Sequence, residues 1–134
     1  MDAVYQIESI SKGRLWAGRI PGGLPALFLI FDAVMKFIKP APVVETTVKL
    51  GYAESVILPL GAVLLICTVL YLIPPTAVLG AILLTGYLGG AVATHVRAAE
   101  GAFPVVFPVV FGILLWGGLW LRDTRLQKLI PLRA

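Results

Sequence analysis

Four long apolar runs separated by short polar segments dominate this chain. Each run has roughly the 20 residues that an α-helix needs to cross the hydrocarbon core of a bilayer. Pro40 and Pro42 end the first run, and Pro74 and Pro75 indicate a sharp turn between the second and the third. The predicted spans are residues 22–38, 54–73, 76–96 and 103–121. The pattern therefore predicts an all-α, integral membrane four-helix bundle with short loops, as a single domain over residues 1–134.

Polar segments flank and join the predicted spans. Residues 1–20 place Trp16 near arginines, which is typical of a lead-in that lies at the membrane interface. Residues 39–52 are the longest connection and are predicted to form a surface loop or a re-entrant turn. Residues 122–134 are predicted to be a basic tail along the membrane surface.

Composition supports the membrane assignment. The chain is 59% hydrophobic and only 13% charged, with a mean hydropathy of +0.96, whereas an ordinary soluble domain is about 25% charged. Its net charge of +4 raises the question of nucleic-acid binding, but no soluble basic module is present to carry it. The bilayer is the expected partner, and no nucleic acid is expected.

The basic residues are unevenly shared between the two sides of the predicted bundle. Four spans place both termini on one side, with seven basic residues against three on the other. Because Lys and Arg accumulate on the cytoplasmic side, both termini are predicted to be cytoplasmic. The seven are Lys12, Arg14, Arg19, Arg122, Arg125, Lys128 and Arg133; the three are Lys39, Lys49 and Arg97.

The third span is rich in small residues at helical spacing. Small side chains four residues apart let helix backbones approach closely in lipid. We therefore expect this span to pack at the centre of the bundle. The predicted packing residues are Ala81, Thr85, Gly86, Gly89, Gly90 and Ala93.

Ionisable side chains of the spans collect at the non-cytoplasmic end. Asp32 and Lys36 fall in the last turns of the first span, Glu54 at the start of the second, and His95 at the end of the third. Asp32 is too short to reach water easily, so it needs a partner, either Lys36 or His95, or a hydrated cavity. The shared depth predicts a polar pocket capped by residues 39–52. The candidate ligand-binding residues are Asp32, Lys36, Glu54, Tyr87, Thr94 and His95.

Each of these residues also has a structural interpretation. Asp32 and Lys36, four residues apart, could form an ion pair within one helix. Glu54 suits a helix N-terminus, where the macrodipole favours an acid. His95 could be a hydrogen-bonded histidine at the interface.

Familiar catalytic motifs are missing from the sequence. It contains no phosphate loop, dinucleotide glycine signature, HExxH or nucleophile elbow. Cys67 is a single cysteine and His95 a single histidine, so no disulfide, redox pair or metal site is expected. No catalytic residue or cofactor is evident, although a quinone or a lipid is a possible ligand.

Three functions remain open from the residues. The first is a membrane protein that binds a small amphiphile, with Asp32 as anion or proton acceptor and His95 as proton donor or hydrogen-bond partner. The second is a non-catalytic subunit whose small-residue faces dock a membrane partner or a second copy. The third is an enzyme, either a proton-shuttling isomerase that uses Asp32 and His95 or a quinone-linked oxidoreductase. The missing motifs favour binding over catalysis.

The chain also resembles a known family through three segments. They are LFLIFDAVMKFIKPAPVVETTVKLGYAES at 27–55, LYLIPPTAVLGAILLTGYLGGAVATHVR at 70–97 and FPVVFGILLWGGLWLRDTRLQKLIPLR at 107–133. Over nearly its whole length it resembles the DoxX-like family of small four-helix bacterial membrane proteins. The resemblance implies a multi-pass protein of the bacterial inner membrane. The family name comes from a subunit of a thiosulfate:quinone oxidoreductase, which implies a membrane subunit or anchor of a redox or stress-related complex as one alternative.

Overall fold

In the computed structural model, which describes residues 12–132, the chain is built of α-helices and contains no β-strand in that range. Single 3₁₀ turns at Glu54–Val56 and Pro74–Thr76 lead into the third and fourth helices. The helices are α1 (Lys12–Ile38), α2 (Ala41–Lys49), α3 (Ile57–Leu72), α4 (Ala77–Arg97), α5 (Ala102–Arg122) and α6 (Thr124–Gln127).

Four segments are long and apolar enough to cross a membrane, which confirms the predicted four-helix membrane bundle. Only a minority of the residues of each segment are buried inside the bundle, as expected where lipid can cover apolar side chains. The segments are Leu15–Ile38, Glu54–Leu72, Pro74–Ala98 and Ala102–Arg122.

The four long helices form a closed ring. α1 packs against α3 and α5, and α4 packs against the same two helices. Since short connections make consecutive long helices antiparallel, α1 and α4 lie diagonally opposite and run in the same direction. One end of the bundle carries α2 and the α4–α5 connection. The other end carries the start of α1, the α3–α4 turn and α6.

The first span begins earlier than predicted. α1 is one continuous helix of 27 residues from Lys12, with Pro21 and Pro25 inside it. Residues 12–20, predicted to be an interfacial lead-in, are therefore helical and continuous with the segment Leu15–Ile38 that can cross the membrane. Residues 1–11 lie outside the described range. Prolines within a membrane helix are tolerated where neighbouring helices hold the segment.

Glycines bring α1 and α5 into backbone contact. A methyl group added at Gly118 would lie 2.6 Å from the carbonyl oxygen of Gly18 and from the amide nitrogen of Gly22. No real Cβ atom sits that close to backbone. Gly80 makes a similar approach to the backbone of Tyr71 at the α3–α4 turn. These glycines let the helices lie closer together than any side chain at these positions would allow.

Most of the small residues of α4 that were predicted to pack against neighbouring helices are exposed on the bundle surface. Ala81 is buried, but Thr85, Gly89 and Ala93 are exposed. An added Cβ at Gly86, Gly89 or Gly90 would meet no atom within 4 Å, so these glycines draw no helix of this bundle close. The expectation that α4 is the centre is corrected accordingly. Spacing alone does not determine the rotation of a helix, and the rotation decides which glycines face a neighbour.

A buried polar network ties α3 to α5 at the end opposite α2. The Tyr71 side chain is fully buried, and its hydroxyl donates to the carbonyl oxygen of Leu115 at 2.6 Å. Arg122 donates from Nη2 to that hydroxyl at 3.0 Å and from Nε to the carbonyl oxygen of Gly118 at 3.1 Å. The network satisfies an arginine at the end of α5 that would otherwise be costly beside the apolar core.

The predicted basic tail folds back onto the end of α5. Asp123 accepts hydrogen bonds from two backbone N–H groups at the start of α6, and Leu126 is buried. Gln127 Nε2 donates to the carbonyl oxygen of Trp120 at 2.7 Å, and Trp120 Nε1 donates to that of Ile130 at 2.8 Å. Residues 123–132 therefore belong to the bundle, while residues 133 and 134 lie outside the described range.

Candidate functional site

A cavity of about 630 Å³ opens at the end of the bundle that carries α2. This volume is within the range of about 300–1,000 Å³ found for small-molecule sites. Five helices line it, and α3 contributes Leu60. α1 and α4 contribute most of the polar groups, α5 contributes aromatic rings, and α2 lies across the end.

Five of the six predicted ligand-binding residues line this cavity. Asp32 and Lys36 enter it from α1, and Tyr87, Thr94 and His95 enter it from α4. The structure therefore brings them together around one space. Their role in binding a ligand stays a prediction.

The sixth residue, Glu54, does not line the cavity. It stands in the 3₁₀ turn before α3, and its carboxylate lies 3.6 Å from Lys39 Nζ on the outside of the protein. Its side chain is exposed. Depth in the membrane was predictable from the position of Glu54 in the chain, but the direction of its side chain around the helix axis was not.

Asp32 pairs with Lys36. Lys36 Nζ donates to Asp32 Oδ1 at 2.8 Å along the same face of α1. The lysine side chain is 14% exposed and the aspartate 39%, so the carboxylate is the more accessible member. The second carboxylate oxygen makes no hydrogen bond to any residue in 12–132. Asp32 therefore combines the predicted ion pair with an acceptor that is open to the cavity.

His95 pairs with Glu100 rather than with Asp32. His95 Nδ1 lies 2.9 Å from Glu100 Oε2. An ionised carboxylate at this distance accepts the Nδ1 proton, which leaves Nε2 of a neutral ring as a hydrogen-bond acceptor. Glu100 was not among the predicted residues because it lies in the loop after α4, outside any span. A carboxylate five residues beyond a histidine near the end of a helix was the available signal.

A short helix covers the cavity. Residues 39–52, predicted to be a loop or a re-entrant turn, contain α2, which we name the lid helix. None of its residues is buried, although Val43, Thr46 and Thr47 line the cavity. The sequence does contain signals of this helix that were not used in the prediction. Prolines stand at its start, and Gly51, with φ of +97°, follows its end.

Two hydrogen bonds attach the end of the lid segment to α4. Arg97 Nη2 donates to the carbonyl oxygen of Leu50 at 3.0 Å. The Tyr52 hydroxyl lies 2.7 Å from Thr94 Oγ1. Because the Thr94 hydroxyl donates its proton to the carbonyl oxygen of Gly90, Tyr52 is the donor in this bond. Both bonds lie at the rim, so they hold the lid helix over the cavity.

Aromatic rings form the apolar wall of the cavity. Phe28 of α1 meets Phe107 and Phe111 of α5 edge to face, with ring centroids 5.8 and 5.1 Å apart, and all three line the cavity. These distances are those of favourable aromatic pairs. These rings could be predicted only as parts of the spans, because in a sequence an apolar side chain that faces lipid looks like one that faces a cavity.

The residues that line the cavity suit an organic molecule more than a metal ion. The part of the chain from Lys12 to Leu132 contains no group of three His, Cys, Asp or Glu side chains that could hold a metal. Instead, the lining combines hydrogen-bonding side chains with phenylalanine rings. Such a cavity can hold a molecule that has a polar head and an apolar body.

Fold and cavity together define a class: a small multi-pass membrane protein whose four-helix bundle encloses a partly polar cavity. A family model described as the DoxX-like family matches residues 20–118, about three quarters of the chain. The chain therefore belongs to the DoxX-like family, as its residues suggested. The match extends over the cavity and the lid helix. No curated protein and no solved structure matches the chain.

Proposed function

We propose that this protein binds a small amphiphilic molecule, of quinone or lipid type, in the cavity beneath the lid helix. The observation that carries the proposal is a single cavity that is lined both by the polar side chains of Asp32, Lys36 and Tyr87 and by the rings of Phe28 and Phe111. A polar head finds hydrogen-bond partners there, and an apolar body finds aromatic surface.

The membrane supplies such a ligand directly. Amphiphiles concentrate in the bilayer, and the cavity lies at one end of the spanning helices, where headgroups reside. The lid helix has no buried residue and two rim hydrogen bonds, so it can move without disturbing the core. We infer that a ligand enters from the lipid beside the lid helix.

Photolabelling in lipid nanodiscs tests this proposal. Three dodecyl probes bear a diazirine in the chain and differ only in the headgroup: alcohol, carboxylate or ammonium. We expect at least one of them to label peptides that contain Phe28 or Phe111, as identified by mass spectrometry. Using three headgroups keeps the test independent of which chemical class is bound.

A matched pair of glycine variants supplies the control. Gly90 lines the cavity and Gly89 does not, yet both have open space where a side chain would begin. Gly90→Leu should fill the cavity and reduce labelling severalfold, whereas Gly89→Leu should leave it unchanged. Equal labelling of both variants and the unaltered protein would contradict the proposal, and melting temperatures would verify that each variant is folded.

A second candidate function is proton transfer on a bound substrate, favoured by the His95–Glu100 pair. A carboxylate on Nδ1 makes Nε2 the proton acceptor, an arrangement that general bases use. His95→Gln should then abolish conversion of a substrate while leaving its binding intact. Loss of binding and conversion in equal measure would instead assign His95 to binding alone.

We further propose that the protein resides in the bacterial inner membrane with both chain ends in the cytoplasm. The excess of basic residues at the end opposite the lid helix supports this orientation. In a Cys67→Ala background, a membrane-impermeant maleimide should label Glu45→Cys in intact spheroplasts and Arg125→Cys only after lysis. The opposite order would reverse the orientation.

A further inference from the structure

We propose that the cavity selects an amphiphile with an uncharged, hydroxyl-bearing headgroup, such as an alkylphenol or a long-chain alcohol. The inference rests on the proposed function, because it names the ligand class of the same cavity. It follows from the balance of charge in the lining, from the hydrogen-bonding atoms left open there, and from the aromatic wall.

The charges of the cavity are already compensated. Its ionisable side chains other than tyrosine are Asp32, Lys36 and His95. Asp32 and Lys36 neutralise each other at 2.8 Å. His95 is the neutral ring described above, and its hydrogen-bond partner Glu100 does not line the cavity. A carboxylate, phosphate or ammonium headgroup would find no free counter-charge in the lining. Bringing such a charge out of water would then be unfavourable.

The open hydrogen-bonding atoms are mainly acceptors. Asp32 keeps one carboxylate oxygen without a partner in the described chain, and His95 keeps Nε2. The Tyr87 hydroxyl lines the cavity and forms no hydrogen bond within residues 12–132, and it can donate or accept. A ligand hydroxyl donates to one such acceptor and accepts from Tyr87. A carbonyl oxygen only accepts, so it would leave Asp32 and His95 unpaired.

The aromatic wall favours a ring next to that hydroxyl. Phe107 and Phe111 lie 4.7 Å apart between centroids, and Phe28 meets both at an angle of 68°. A ligand ring gains contact energy against such a surface beyond simple burial. A phenol therefore matches both the polar and the aromatic residues of the lining, and a linear alcohol matches only the polar ones.

Competition in nanodiscs tests the ligand class. The competitors share one alkyl chain and are para-dodecylphenol, dodecanol, dodecanoate and dodecylammonium, each present at the same mole fraction in the bilayer. We expect the phenol and the alcohol to displace a bound dodecyl photoprobe at a mole fraction about tenfold lower than dodecanoate and dodecylammonium require. A hydrogen bond to a charged acceptor changes affinity by about this factor. Displacement by dodecanoate or dodecylammonium as good as that by dodecanol would overturn the inference.

Two substitutions of the ion pair test the charge argument with opposite signs. Asp32→Asn leaves the positive charge of Lys36 uncompensated, so the affinity of dodecanoate relative to that of dodecanol should rise by about tenfold or more. Lys36→Met leaves the negative charge of Asp32 uncompensated, so the relative affinity of dodecylammonium should rise instead. Each variant stands as a separate test if the other fails to fold. An unchanged order of competitors in a folded variant would refute the argument.

A third substitution tests the open hydroxyl. Tyr87→Phe retains the ring and should weaken dodecanol binding severalfold, with little effect on the much weaker binding of the charged competitors. Equal dodecanol binding by this variant and the unaltered protein would refute the role of Tyr87. The outcomes also separate the two proposals. If no dodecyl probe labels the cavity, the proposed function itself fails; if a charged probe binds best, only this inference fails.

Discussion

Replacing Gly118 by alanine should push two spanning helices apart. The added methyl group would sit 2.6 Å from the carbonyl oxygen of Gly18 and the amide nitrogen of Gly22, where ordinary contact begins at 3.4 Å. Both partners are backbone atoms, so no side-chain rotation can relieve the overlap. α1 and α5 must separate, and the packing along their shared interface must loosen.

The adjacent Gly117 provides a matched control. An added methyl group at Gly117 meets no atom within 4 Å, yet it is in the same helix. Both substitutions should increase stability by the same amount, about 0.5–1 kcal/mol, because alanine is favoured over glycine within a helix. The difference between the two variants therefore isolates the overlap. Overpacking typically costs about 1–3 kcal/mol, so Gly118→Ala should be less stable than Gly117→Ala by that amount.

Equilibrium unfolding in mixed micelles measures this difference. Increasing fractions of dodecyl sulfate in dodecyl maltoside unfold the bundle, and Trp116 and Trp120 on α5 report the transition by fluorescence. Far-ultraviolet circular dichroism gives an independent probe of the helices. If Gly118→Ala and Gly117→Ala unfold at the same dodecyl sulfate fraction, the contact between α1 and α5 is not as close as described.

Two further substitutions probe the polar contacts at the two ends of the bundle. Tyr71→Phe removes a buried hydroxyl that donates to Leu115 and accepts from Arg122, so the free energy of unfolding should fall by about 1–3 kcal/mol in the same micelle assay; unchanged stability would show that the network contributes nothing. Arg97→Met removes the donor to Leu50, so amide hydrogen exchange in the lid helix should become about two- to tenfold faster while α3 is unaffected. Equal exchange rates would show that this bond does not hold the lid helix.

The number and lengths of the spans could be predicted because the bilayer dictates them. A spanning helix must satisfy its backbone internally and remain apolar for its full length, so each one is visible in its own window of sequence. The start of α1 was harder to place. Pro21 and Pro25 suggest a helix start near Gly22, but packing against α5 continues the helix back to Lys12.

The rotation of each helix could not be predicted. In water, burial of apolar side chains tells which face turns inward, but lipid and bundle interior are equally apolar, so that signal is weak here. Gly86 and Gly90 illustrate this. Their spacing suggested close packing, whereas their missing side chains leave room for the cavity.

Polar residues were placed correctly in depth, and less well in direction and partners. Asp32, Lys36 and His95 reach one cavity because they share a level in the bundle, and ionisable groups in a span turn away from lipid. Glu54 shares that level but stands at a helix start, where its side chain can leave the bundle. Glu100 completes the His95 pair from a loop, and loop positions have no periodicity from which to predict a contact.

The backbone contact between Gly18 and Gly118 has a consequence for joining this bundle to other proteins. An even number of crossings returns the chain to the side from which it started, and the ring closes so tightly that Gly18 also approaches the side chain of Arg122. The start of α1 and the end of α5 therefore lie side by side. Two halves of a split fluorescent protein, one fused before the bundle and one after it, should reassemble within a single molecule even at high dilution.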